Sequence, residues 1–267
     1  MPHHLTWKPD VFAASTLLLT FVLYTIGLWR LRQRGALAHV PRREIASFIV
    51  GWIVLAIALL SPIATLSEWL FSVHMTQHEL LMLVAAPLLA LGRPLVPMLW
   101  AMPEQWRRRS AAWAAVAAFV TAPLVVFALH AVALWLWHVP ALYEAAVLND
   151  GVHVIQHLSF TGTAAAFWWS LIRGRYGRLG YGAAVIYIFA TALHSAGLGA
   201  LLALSDTPWY SLYVGRAAGI VDALEDQQLG GVLMWVPSGM VMTIFALAMF
   251  AAWLGEAERR RKKGWSS

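Results

Sequence analysis

From Val11 to Trp29, and again from Ala111 to Trp137, the chain carries no Asp, Glu, Lys or Arg. About 20 mainly apolar residues wound as an α-helix cross the hydrocarbon core of a bilayer, where only helices and closed barrels satisfy every backbone polar group. Seven segments meet this length, near 11–29, 45–61, 72–91, 112–137, 152–172, 181–204 and 230–254. They are continuous apolar runs without the alternating period of a barrel strand. The expectation is an all-α fold, a polytopic membrane helix bundle of seven transmembrane helices. Composition agrees, with only 12% charged residues in 267 positions, against roughly 25% in a soluble domain.

The few charges also set a direction, because basic residues flanking spans are retained on the cytoplasmic side. Of the 19 Lys and Arg, 17 follow the first, third, fifth and seventh spans: Arg30, Arg32, Arg34, Arg42 and Arg43; Arg93, Arg107, Arg108 and Arg109; Arg173, Arg175 and Arg178; and Arg259, Arg260, Arg261, Lys262 and Lys263. Lys8 and Arg216 alone fall on the other side, among acidic residues. The bundle is expected to run with its N-terminus outside and its C-terminus cytoplasmic. The net charge of +6 is then an inner-face excess and no nucleic-acid surface. The first run is too long, and its positive cluster too late, for a cleavable signal. Trp7, Trp29, Trp69, Trp100, Trp106, Trp135, Trp137 and Trp209 fall near span ends, where an indole keeps its N–H wet. Nothing divides the chain, so residues 1–267 are expected to form a single integral membrane domain with a basic cytoplasmic tail over 255–267. Pro87, Pro94 and Pro97 with Gly92 predict that the third helix ends near Leu91 and is followed by a short re-entrant or interfacial piece through Trp100.

With no Cys in the chain, thiolate metal sites, iron–sulfur clusters and cysteine nucleophiles are excluded. Histidine is the remaining strong ligand. His74 and His78 fall in the first two turns of the third span, and His153 and His157 in the first two turns of the fifth. Both pairs are HxxxH with Gln before the second His, a spacing that puts two imidazoles on one helix face. His138 ends the fourth span, His130 lies two turns deeper and His194 near the middle of the sixth. Ionisable groups within a span are costly and mark functional positions, which brings in Glu79 as well. The bland readings are inter-helix hydrogen bonding for a single histidine and gap filling for a methionine. His3, His4 and His39 are assigned to solvent or headgroups. Met75, beside His74, is the methionine best placed to add a thioether. Asp222, Glu225, Asp226, Gln227 and Gln228 crowd the loop before the last span. Capping accounts for one carboxylate there; metal capture or docking of a basic partner would use the rest.

Four pieces carry a family resemblance: His74-Met75-Thr76-Gln77-His78 with Pro87 and Gly92-Arg93-Pro94; Trp137-His138-Val139-Pro140 with Tyr143; His153 to Phe160 with Phe167-Trp168-Trp169; and Asp226-Gln227-Gln228-Leu229-Gly230-Gly231 with Met234-Trp235-Val236-Pro237. In order and spacing they resemble the multi-span CtaG family of cytochrome c oxidase assembly factors associated with caa-type haem–copper oxidases. The resemblance implies a protein of the bacterial plasma membrane that helps build an oxidase by handling copper, with no catalytic reaction of its own. Its partners would be an oxidase subunit or a copper chaperone.

On this reading copper is held by His74, His78, His153 and His157, with His138 a further ligand. Met75, Glu79, His130, His194 and Asp226 are additional ligands or supporting groups. Two alternatives stay open. Paired histidines on neighbouring helices also suit haem, in an electron-transfer or haem-processing protein, and His130 with His194 would suit the deeper path of a copper or cation permease. A retinal protein is disfavoured, because no Lys lies within any span.

Overall fold

The computed structural model describes residues 10–110, 112, 114–172 and 181–264. The assignments made for His3, His4, Trp7, Lys8, Arg173, Arg175 and Arg178 lie outside the described residues. Within them the chain is helical and has no strand. Helix α1 (Val11–Gln33) starts at Asp10, whose carboxylate accepts from the backbone N–H of Phe12 and Ala13, a standard N-cap. It is followed by α2 (Arg42–Leu60) and the short α3 (Pro62–Leu66). Next, α4 (Phe71–Glu79) passes through a π-helical turn at Leu80–Ala85 into α5 (Ala86–Gly92).

Pro87 accounts for that turn. In the widened ladder the Ala86 N–H reaches back to the Leu81 carbonyl. The next carbonyl, Met82, should then receive the N–H of residue 87, and proline has none. The Trp168 indole N–H fills the gap, donating to the Met82 carbonyl at 2.9 Å. The helix runs through Pro87 to Gly92, within one residue of the end expected near Leu91, with a donor lent from elsewhere.

Arg93, at φ 47°, ends α5 in the left-handed conformation, and α6 (Leu95–Ala101) forms the short piece expected there. It lies against α1, where Arg30 donates to the Ala101 carbonyl at 2.7 Å. A Cβ at Gly27 would sit 1.8 Å from the Pro97 carbonyl oxygen, so only glycine permits this approach. The remaining helices are α7 (Glu104–Ser110), α8 (Ala114–Val120), α9 (Pro123–Trp137), α10 (Pro140–Leu148), α11 (Asp150–Ile172), α12 (Tyr181–Ala203), α13 (Ser211–Arg216) and α14 (Ala223–Gly264).

Among the described residues, five helical stretches are long and apolar enough to cross a membrane: Val11–Gln33, Arg42–Leu60, Phe71–Gly92, Gly182–Ala203 and Ala223–Gly255. A sixth is reached if α9 and α10, bent by 78° where they meet, count as one broken span. The expected fourth span is therefore not a single helix. The chain breaks at Thr121 and Ala122 ahead of Pro123, and α9 by itself has 15 residues, about 22 Å of helix. The expected fifth span is the 23-residue α11, long enough to cross but made less apolar by His153, Gln156, His157, Ser159, Thr161 and Thr163. The last helix outruns its expected end at 254 and continues through the basic residues to Gly264.

The core lies among α4–α5, α9, α11, α12 and α14. Glycines allow its tightest seam: a Cβ at Gly231 would lie 2.6 Å from the Gly199 carbonyl oxygen. α1 and α2 instead leave most of their apolar surface outward, with Leu18, Leu19, Ile49, Val50 and Ile53 exposed, as lipid-facing helices do.

Candidate metal centre

The N-terminal halves of α4 and α11 meet with their HxxxH faces together. Helical i,i+4 spacing stacks His74 on His78 and His153 on His157. The Nε2 atoms of His74 and His78 share a hydrogen bond of 3.0 Å, a separation near the roughly 3.3 Å edge of a tetrahedral site with metal–nitrogen bonds of about 2.0–2.1 Å. His157 joins them: one ring nitrogen from each of the three lies within 4.8 Å of the other two. The His153 ring centroid is 4.1 Å from that of His157 and 5.5 Å from that of His74. His74 and His78 are each only 1% exposed, so this is an interior layer of imidazole.

These nitrogens are poorly satisfied by the protein. His78 Nδ1, His153 Nε2, His157 Nε2 and His138 Nε2 are buried and have no hydrogen-bond partner, and both amide atoms of the neighbouring Gln156 are equally alone. Buried polar atoms are nearly always paired, and each exception calls for a reason. Several lone imidazole nitrogens in and around this layer leave donor atoms available to a bound cation.

The partners on the far side of the rings point the same way. The Tyr213 hydroxyl donates to the Ser67 carbonyl at 2.8 Å and lies 3.4 Å from His74 Nδ1. Its one proton being used, it can only accept from Nδ1–H, which leaves the Nε2 lone pair facing the cluster. Burial raises the Tyr213 phenol further above its ordinary range, so it keeps that proton. His138 Nδ1 bonds the Leu134 carbonyl at 2.7 Å, an acceptor only, and its Nε2 is likewise left basic. His130 Nδ1 meets Thr163 Oγ1 at 3.0 Å, while that hydroxyl donates to the Ser159 carbonyl at 2.7 Å. Three histidines are thus set, by their hydrogen-bond networks, in the tautomer a metal ligand needs.

Of the residues expected from the sequence, His74, His78 and His157 converge and His153 sits beside them. His138 is buried but falls outside the three-nitrogen group; it and His78 both pack on the Phe160 ring. His130 and His194 stand apart as a deeper pair, with ring centroids 6.2 Å from each other. Met75 is fully buried in the hydrophobic core, against Gly230. Glu79, expected to orient a histidine, makes no hydrogen bond through Oε2 and lines a separate cavity with His130. Asp226 is a helix cap acting from a distance: it accepts from the Phe71 N–H at 2.6 Å, the Ser72 N–H at 3.3 Å and the Ser72 hydroxyl. Both oxygens are occupied at the start of α4, so metal capture is not what its geometry serves. Gln227 accepts from the Trp209 N–H at 2.6 Å, Gln228 donates to the Ser205 carbonyl at 3.0 Å, and Asp222 caps α14. The polar loop is scaffold.

Sequence reasoning missed the aromatic cover of the site. Tyr143, Tyr210 and Tyr213 are all buried and pack with Phe71 beside His74. The Tyr210 hydroxyl donates to the His138 carbonyl at 3.1 Å. The signal available was two tyrosines three residues apart in a loop otherwise without a role.

Fold and site together define a helical membrane protein with a buried imidazole cluster near one end of its bundle. The chain belongs to the cytochrome c oxidase caa3 assembly factor family (Caa3_CtaG), whose family model matches residues 22–256. It is 26% identical over 273 residues to an uncharacterized protein of Mycobacterium leprae (strain TN), and the match covers 95% of this chain and 40% of that protein. Uncharacterized proteins of Mycobacterium bovis and Mycobacterium tuberculosis are each 24% identical over 266 residues, with the same coverage of 95% and 40%. The chain thus spans about 40% of the length of these relatives. No solved structure matches it.

Proposed function

We propose that this protein supports assembly of a haem–copper oxidase by taking up copper at the histidine end of the bundle, holding it on His74, His78 and His157 with His153 alongside, and passing it to an oxidase subunit or a copper chaperone. The convergence of His74, His78 and His157, with buried imidazole nitrogens on His78, His153 and His157 left without partners, carries the reading. Imidazole without thiolate suits copper, and the family's oxidases are built around it. The protein's own part is to exclude water with its tyrosine cover, fix the ring tautomers through Tyr213 and Leu134, and keep the ligands neutral and close. No bond of a substrate is made or broken, so the role is non-catalytic.

In this reading the chain sits in the bacterial plasma membrane with seven spans, α11 among them, the histidine end outside and the arginine-rich ends of α1, α7 and α14 in the cytoplasm. A polar α11 is tolerated as a span because its histidines face protein and not lipid. Haem is the weaker alternative, because the pairs on neighbouring helices, His74 with His153 and His78 with His157, have ring centroids only 5.5 and 5.3 Å apart, too close for a macrocycle between them. In cells, His78→Ala is expected to abolish oxidase activity while haem content stays normal. Full oxidase activity in that strain, with purified protein that takes up no copper, would sink the proposal.

A further inference from the structure

Beneath the imidazole layer lies a small cavity of about 30 Å³ bounded by α4 and its π-helical turn, α9, α12 and α14. Its wall has an unusual donor set. Glu79, Met82, His130, Met234 and Met242 all line it, from three different helices, together with Ser238. We propose that this cavity is a second metal site, for Cu(I), in which the three thioethers and His130 Nε2 bind the ion and the Glu79 carboxylate neutralises it. The inference rests on the copper reading of the layer above and adds to it a separate, softer site.

Four observations support it. Thioether with imidazole selects a soft monovalent ion over Zn(II). A lone cation in so apolar a place needs a compensating charge, and Glu79 Oε2 is buried without any hydrogen-bond partner. His130 is held through Nδ1 by Thr163, whose hydroxyl proton is already given to Ser159; Nε2 is therefore the basic atom left for a ligand. Finally, both helices that supply thioethers depart from a regular hydrogen-bond ladder at this level. Met82 lies in the π turn and shares the cavity wall with Glu79, and its freed carbonyl is held by Trp168. On α14, Pro237 interrupts the ladder and Ser238 donates back to the Met234 carbonyl, between Met234 and Met242. Distortions of this kind gather at functional positions.

His138 links the two levels. It bonds the carbonyl of Leu134, a cavity-lining residue, and it shares the Phe160 ring with His78. Its Nε2 is buried and unpartnered.

The test is anaerobic loading of the purified full chain with Cu(I), read by metal content and by X-ray absorption. Wild-type protein should bind two equivalents, with both nitrogen and sulfur neighbours. Met82→Leu/Met234→Leu/Met242→Leu, which conserves volume, should bind one and lose the sulfur signal, while His74→Ala/His78→Ala should keep one bound mainly through sulfur. Glu79→Gln, which changes no shape, should weaken the sulfur-bound equivalent at least tenfold and leave the other alone; this arm holds if the triple variant fails to fold. One wild-type equivalent with nitrogen neighbours only would overturn the inner site and leave the imidazole site standing. Protein that binds no copper at all would overturn both.

Discussion

Two polar regions share the histidine end of the bundle, and they finish in opposite states. In the loop at the start of α14, Asp226, Gln227 and Gln228 turn inward and bond the start of α4 and the 205–209 segment. A few ångströms of chain geometry away, the imidazole layer is equally buried, yet four histidine nitrogens and the Gln156 amide bond nothing. Both regions look like candidate sites in the sequence. Hydrogen-bond accounting separates them, because a scaffold closes its own polar groups while a binding site leaves its donor atoms open for something else.

The sharpest way to break this contrast is a pair of substitutions with opposite outcomes. Asp226→Ala should lower thermal stability in detergent by about 3 kcal/mol or more, since it strands the buried N–H groups of Phe71 and Ser72 and the Ser72 hydroxyl. Copper bound per folded molecule should be unchanged. His157→Leu should do the reverse: copper at the imidazole layer is lost, while stability changes by no more than about 1 kcal/mol, because an unpartnered polar ring is exchanged for an apolar group of similar volume. If Asp226→Ala abolished copper uptake in well-folded protein, the division between scaffold and site would fail.

Smaller effects sharpen it. Trp168→Phe removes the indole donor given to the Met82 carbonyl at the π turn and should cost about 1–3 kcal/mol by thermal unfolding. Tyr213→Phe takes away the acceptor facing His74 Nδ1 and should weaken copper affinity by roughly 10–100-fold, the range for partners that orient a ligand. Loss of its hydrogen bond to the buried Ser67 carbonyl should also cost about 1–3 kcal/mol by thermal unfolding. Gln228→Ala, which loses one partly buried bond, should cost about 1 kcal/mol or less; a larger loss would make the loop more than a tether.

The division of labour was only partly legible in the sequence. Charge-free runs and loop arginines placed α1, α2, α4–α5, α12 and α14, because burial in lipid imposes composition directly. The HxxxH spacing brought four histidines to one level, three of them converging, for a similarly local reason: i,i+4 on a helix needs no knowledge of the fold. What failed was long-range. Nothing local says that Asp226 caps a helix 155 positions away, that Trp168 replaces the missing N–H of Pro87, or that Tyr213 reaches His74. Glu79 illustrates the limit most clearly. It neighbours His78 in the chain, but successive helical residues point about 100° apart, so it faces the methionine-lined cavity with His130 and leaves the imidazole layer to its neighbour.

The central claim is that the imidazole layer is a copper site, and the most direct test is an anaerobic Cu(I) titration of purified protein against a chromogenic competing chelator, comparing wild type with His157→Leu. The account predicts a nitrogen-bound equivalent in the wild type that the variant lacks, with both proteins folded to the same extent. Equal copper content and equal affinity in the two proteins would contradict it.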